Sequence, residues 1–144
     1  MTDKVFIDTN ILVYAYLDAD NPDSHDKHLK AADCLQTLSS TCKITLSTQV
    51  LSEYYSALLK HKISDTDIQE SIHQLIKAVE VASVSLNTAL TSFQIKNRYQ
   101  YSYWDSLIIA SALENGCTQL ISEDLQNGQI IESTLTIGNP FVSE

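Results

Sequence analysis

Four carboxylates, Asp8, Glu53, Asp105 and Asp124, stand at or near the points where strands and helices of this chain should meet. Three of them adjoin its most apolar runs. A carboxylate beside a core is costly unless a counter-charge or hydrogen-bond donors meet it. The chain has 9 Lys and Arg against 18 Asp and Glu, a formal net charge of −9. Basic side chains are therefore too few to do the pairing. A divalent cation is the natural alternative, and Mg²⁺ suits an all-oxygen ligand set that leaves room for water. Acids gathered without a cation repel one another and raise one another's pKa. Held around one or two ions, they support phosphoryl chemistry in which an activated water attacks phosphorus.

Each acid also has a plainer role. Asp8 follows Val5-Phe6-Ile7 and Asp124 follows Leu120-Ile121, so both sit at strand exits. Open α/β sheets bind ligands just outside that edge. Yet Asp8 would equally serve as a helix cap, and Asp124 as a turn residue. Glu53 lies one turn into a helix, where the dipole favours an acid. Its neighbours Val50 and Ala57 place it on the border of an apolar face. Ser102-Tyr103-Trp104-Asp105 has the spacing of a capping box. Asp105 also shares a face with Ile108, Ile109 and Ala112, which turns it inward. Thr9 and Asn10 add polar groups able to orient Asp8. Taken together, the four acids converge on one sheet edge.

The elements that must position them alternate. Val5–Ile7 reads as a buried strand, followed by a short inward helix over residues 10–17. The polar stretch Asp18–Asp26, with Pro22, reads as a loop. A helix over His25–Leu38 follows, with Leu29, Ala32 and Leu35 or Gln36 spaced for one buried face. Ile44–Leu46 is a second strand, and Thr48 caps the helix carrying Glu53. Ser64-Asp65-Thr66-Asp67 opens another helix. Val79–Val84 is a weak third strand. Leu86, Ala89, Leu90 and Phe93 mark one more helix, ending near Arg98. Residues 102–114 form the most apolar helix, closed by Asn115-Gly116. Thr118–Ile121 is a fourth strand and Leu135–Ile137 a fifth. This alternation implies an α/β layer fold with a parallel sheet, in one domain over residues 1–144.

Other classes fit poorly. No apolar run reaches about 18 residues, so no transmembrane helix is expected. The first ten residues lack the regions of a signal peptide. Cys34, Cys42 and Cys117 form no CxxC pair, and an odd count suits reduced thiols in the cytoplasm. His25, His28, His61 and His73 have no zinc or triad spacing, and no glycine-rich phosphate loop is present. The acidity opposes a simple groove-filling nucleic-acid binder but not a nuclease, because bound metal reverses the local field. It also suits a basic protein partner. Tyr99, Tyr101, Tyr103 and Trp104 read as core or interface in preference to a base-stacking platform.

With these residues in place, the segments FIDTNILVYAY, STQVLSEYYSALLK, YSYWDSLIIASALENGC and LISEDLQNGQ resemble the PIN-domain ribonucleases. Among them they are most similar to VapC-type toxins of toxin–antitoxin pairs, over residues 5–141. The resemblance implies a three-layer α/β/α sandwich with a central parallel sheet. It implies an endoribonuclease dependent on Mg²⁺ or Mn²⁺, with Asp8, Glu53, Asp105 and Asp124 as catalytic metal ligands. Asn10 and Ser122 match residues that support the acids. A homodimer is implied, and an antitoxin partner that occupies the groove. Lys60, Lys62, Lys96 and Arg98 are candidates for the RNA backbone. Two rivals remain at this stage. One is a phosphatase with Asp8 as covalent nucleophile, though Asn10 stands where that mechanism wants a second acid. The other is a non-catalytic interaction module of the same fold.

Overall fold

The computed structural model describes residues 3–18 and 21–142. The central strand, β1 (Lys4–Ile7), has Val5, Phe6 and Ile7 fully buried. Burial on both faces is what a continuous apolar run in a parallel sheet produces. β2 (Lys43–Ser47) pairs parallel with one side of β1, and β4 (Gln119–Ile121) with the other. β3 (Glu80–Ala82) lies outside β2. β6 (Leu135–Gly138) lies parallel outside β4, and the two-residue β5 (Ile130–Ile131) closes that edge antiparallel. The order is β3-β2-β1-β4-β6-β5. β5 has no counterpart in the sequence reading, because two residues show no periodicity.

Six helices connect the strands: α1 (Thr9–Tyr16), α2 (Pro22–Thr41), α3 (Thr48–Lys60), α4 (Asp65–Ala78), α5 (Leu86–Tyr99) and α6 (Tyr103–Glu114). From β1 to β3 the chain steps one way across the sheet, and from β3 to β4 it steps back past β1. Right-handed crossovers then put α1–α4 on one face and α5–α6 on the other. The contacts agree: α1 packs on α2 and α3, α3 on α4, and α5 on α6. The result is a three-layer sandwich. The direction changes between β1 and β4, and their carboxyl ends frame the crevice at that switch point.

Several local readings need correction. Pro22 does not break a helix; it opens one, as the first residue of α2, because its missing N–H is one that a first turn leaves unbonded anyway. Asn21 Oδ1 accepts from Asp23 N–H at 3.0 Å and Ser24 N–H at 3.2 Å. Ala19 and Asp20, in the stretch expected to be a loop, lie outside the described residues. Leu29 is 53% exposed, while Ala31 is fully buried. The burying line of α2 passes through Ala31, Cys34, Leu35 and Leu38. The cap of α3 is Ser47, the last residue of β2, which leaves Thr48 as the first helical residue.

α5 buries small hydroxyl residues and leaves most of its larger apolar ones outside. Leu86, Leu90 and Phe93 are exposed, and Thr88, Ser92 and Ile95 are buried. Hydroxyls bury cheaply when bonded locally. Ser92 Oγ donates to the Ala89 carbonyl at 2.6 Å, and Thr88 Oγ1 to Glu114 Oε2 of α6 at 2.7 Å. At the end of α6, Gly116 takes the left-handed φ of +71° that the Asn115-Gly116 pair anticipates.

The Asn21 cap yields a direct check. Asn21→Ala is expected to lower stability by about 1 kcal/mol, read by urea melts, since two first-turn N–H groups lose their acceptor.

Candidate active site

Asp8 is the hinge between β1 and α1. Its backbone N–H donates to the Ile121 carbonyl of β4 at 2.9 Å, which ties the two central strand ends together. Its side chain caps α1, with Oδ1 accepting from Thr9 N–H at 2.7 Å. Oδ2 accepts from Ser122 Oγ at 2.8 Å. Capping and site geometry are thus one arrangement, and only 7% of Asp8 is exposed. Burial pushes its carboxyl up to about 6, against the pull of the Ser122 and Thr9 bonds; repulsion from Asp124 and then Glu53 adds to the rise.

Glu53 projects from α3 toward Asp8. Its Oε1 accepts from Thr9 Oγ1 at 2.8 Å. Asp124 follows β4, and its Oδ2 accepts from Asn10 Nδ2 at 3.0 Å. Its N–H donates to Ser122 Oγ at 3.2 Å. Burial, then the charges of Glu123 and Asp105, push the Asp124 carboxyl up. Asp105 occupies the first turn of α6, where its N–H donates to Ser102 Oγ at 3.1 Å. α5 carries a reciprocal capping box at Ser85 and Thr88, whereas at α6 only the Ser102 half is recorded. The Asp105 side chain instead faces the crevice.

One cleft of about 170 Å³ is lined by Asp8, Thr9, Asn10, Glu53, Ala57, Trp104, Asp105, Ile108 and Asp124. All four sequence-nominated acids reach it, from segments up to 116 positions apart in the chain. Its lining contains no Lys, Arg or His. Asn10 borders it, and Ser122, fully buried, supports it from beneath through Asp8 and Asp124. The acids do not form a preassembled cage: among the described residues, no three His, Cys, Asp or Glu side chains cluster closely enough to hold an ion. Asp8, Glu53 and Asp124 are each bonded to a protein donor, and like charges favour such separation.

The donor set fits a hard divalent cation nonetheless. It is all carboxylate oxygen, partly buried, and without a cationic neighbour in the lining. A larger cavity of about 880 Å³ lies between α2, β2 and α4, lined by Leu12, Leu35, Leu46, Leu75 and Val79 among others. It holds one acid, Glu80, already paired with Lys4 and Lys43. Size therefore does not mark the chemistry here.

Thr9 orients Glu53 and lines the cleft, a part that its place between Asp8 and Asn10 only suggested. Trp104 forms the rim, 63% exposed and edge-on to Tyr103. The aromatic group therefore divides. Tyr99 OH accepts from Glu132 N–H and Tyr101 OH from Gln126 N–H, which fastens the segment after β4. Lys60, Lys62, Lys96 and Arg98 do not line the cleft, and Arg98 is paired with Glu132. His25 pairs with Asp18, and His28 bonds the Tyr14 carbonyl. No helix among the described residues is long and apolar enough to cross a membrane.

The family model described as "PIN domain" matches residues 5–127. No curated protein matches the sequence significantly. Solved structures match the fold. The Mycobacterium tuberculosis toxin VapC20, described as cleaving the sarcin–ricin loop, is 18% identical with a TM-score of 0.62, covering 81% of this chain and 86% of its own. VapBC2 of Rickettsia felis, bound to a DNA fragment from its promoter, is 20% identical with a TM-score of 0.67, covering 94% and 98%. A toxin–antitoxin complex from Klebsiella pneumoniae is 17% identical with a TM-score of 0.68, covering 95% and 98%.

Proposed function

Starting from the fact that this chain belongs to the PIN domain family, we propose that it is a metal-dependent endoribonuclease acting as the toxin of a type II toxin–antitoxin pair. The observation that carries this reading is the acidic cleft at the switch point of the sheet, supplied by four distant segments and lined by no basic residue. The whole chain, residues 1–144, works as one PIN-like domain.

Asp8, Glu53, Asp105 and Asp124 would hold Mg²⁺ or Mn²⁺. Bound there, such an ion would supply a lowered pKa for the attacking water and charge neutralisation on the phosphate. The chain's own residues do the positioning. Ser122 and the Thr9 N–H fix the two oxygens of Asp8, Thr9 Oγ1 turns Glu53, and Asn10 turns Asp124. Trp104 and Ile108 give the cleft apolar walls. Holding donors in place before reaction is what makes such a site effective.

RNA as substrate is supported by the fold of a toxin described as cutting the sarcin–ricin loop. An antitoxin partner is supported by the matched toxin–antitoxin complexes. A basic segment of such a partner suits the negative cleft. We assign the protein to the cytoplasm as a homodimer; the exposed Leu86, Leu90, Phe93 and Trp104 supply apolar surface for a second copy.

The test uses purified full-length protein free of antitoxin, incubated with several structured RNA pools. Cleavage is expected with Mg²⁺ or Mn²⁺ and not with EDTA. Asp105→Ala is expected to cut at least about 100-fold more slowly, as loss of a charge-stabilising group typically does. RNA left intact under every condition, or cleaved equally by the variant, would overturn the nuclease reading in favour of an interaction module.

A further inference from the structure

Glu123 stands between Ser122, which supports the cleft from beneath, and Asp124, which lines it, and turns the other way. Ser122 points to Asp8, and Asp124 points to Asn10. Glu123 reaches back over the α1–α2 layer, where Oε2 accepts from Lys27 Nζ at 2.7 Å and Oε1 from Tyr14 OH at 3.3 Å. Its carbonyl accepts from Asn139 Nδ2 at 3.4 Å. Lys27 is held in turn. Its Nζ lies 5.0 Å from the Tyr14 ring centre and 5.5 Å from that of Phe141, and those rings meet edge to face. Both partners of the Lys27–Glu123 pair are largely covered, with side chains 27% and 21% exposed.

Asp124 needs such help. It is exposed, and among the described residues Asn10 is the one side-chain donor to its carboxylate. Its direction therefore depends on how the backbone of residues 122–124 is held. From these contacts we propose that Lys27 is a positioning residue: acting through Glu123, it pins the 122–124 segment so that Asp124 faces the cleft. This rests on the metal-site reading given above. Lys27 itself touches neither the cleft nor any of the four acids.

Charge and position make opposite forecasts, which makes the idea testable. Lys27→Met removes a positive charge near a cation site, so charge alone tightens metal binding. Loss of the pin loosens Asp124 and weakens it. The measurements are Mn²⁺ titration of metal-free full-length protein by calorimetry, and amide exchange at Asp124, whose N–H bonds Ser122 Oγ.

Mn²⁺ affinity is expected to fall about 10-fold in Lys27→Met, the usual scale for an outer partner of a ligand. Exchange at Asp124 is expected to quicken without metal. Lys27→Arg, which keeps the charge-assisted bond, should restore both to within about twofold. Equal or tighter Mn²⁺ binding by Lys27→Met, with unchanged exchange, overturns the proposal. If Lys27→Met does not fold, Glu123→Gln breaks the same pair, and there amide exchange at Asp124 decides, because losing a negative charge weakens metal binding by itself. A wild-type protein that neither binds Mn²⁺ nor cuts RNA overturns the nuclease reading and this proposal with it. A wild type that does both, beside an indistinguishable Lys27→Met, overturns this proposal alone.

Discussion

Asp8→Asn is expected to abolish RNA cleavage and, at neutral pH without metal, to make the protein more stable. The two effects share one cause. Asp8 is buried, and its carboxyl is pushed from the ordinary 3.8 up to about 6. The folded chain therefore binds that proton more tightly than the unfolded chain. Between about pH 4 and 6 the folded state carries more protons, so stability falls as pH rises through that window. The penalty is absent below about pH 4 and complete above about pH 6. About two units correspond to roughly 3 kcal/mol as an order of magnitude.

Asn removes this penalty while keeping the shape. Its Oδ1 still accepts from Thr9 N–H, and its amide meets Ser122 Oγ once that hydroxyl turns its proton elsewhere. The rearrangement costs part of the gain, leaving about 1–2 kcal/mol at pH 7.5. Urea melts in EDTA from pH 4.5 to 8 measure it. The advantage of Asp8→Asn should shrink toward zero at the acid end. A difference of fixed size across that range, or of opposite sign, would show that burial of charge is not the burden. Cleavage with Mn²⁺ should fall at least about 100-fold, since a neutral amide is a poor replacement for an anionic ligand.

Ile109→Ala is expected to destabilise the protein by about 2–5 kcal/mol. Ile109 is fully buried in α6, a helix whose residues 106–112 are all buried. The cavity lies between two packed layers and has little freedom to collapse. Leu90→Ala on the neighbouring α5 should change stability by no more than about 0.5 kcal/mol, because its side chain is 51% exposed. From hydropathy alone, Leu90 looks as costly to truncate as Ile109. Thermal or urea melts of both variants separate these cases. A costly Leu90→Ala at low concentration would mean that this face is covered even in the isolated chain. A cost that appears only as protein concentration rises would mark a second copy as the cover.

α2 and α5 show why periodicity misleads at moderate amphipathicity. In α2, Leu29 offered a larger apolar side chain than Ala31, yet Ala31 packs and Leu29 does not. In α5, hydroxyls bonded to their own helix or to Glu114 fill the close contact with α6, and the leucines are left outside. Which side of a helix is buried depends on what packs against it, and neither helix carries that information locally. The caps were easier. Ser64 and Ser102 cap the helices that their spacing marks, because a cap involves only three or four consecutive residues.

The site shows the same division. Sequence by itself determined that three of the four acids fall beside the most apolar runs, and that two stand at strand exits, because strand and helix ends follow from local composition and spacing. It also determined that too few basic residues exist to neutralise them. Only the tertiary structure decided the rest. The β1–β4 pairing brings Ser122 to Asp8 across 114 positions, and Asn10 to Asp124 across the same span. It brings Lys27 to Glu123 across 96. It leaves Arg98 on Glu132, away from the cleft. Strand register and helix packing are cooperative properties of the whole chain. A carboxylate's neighbours, and hence its charge state and direction, are settled only when those are in place.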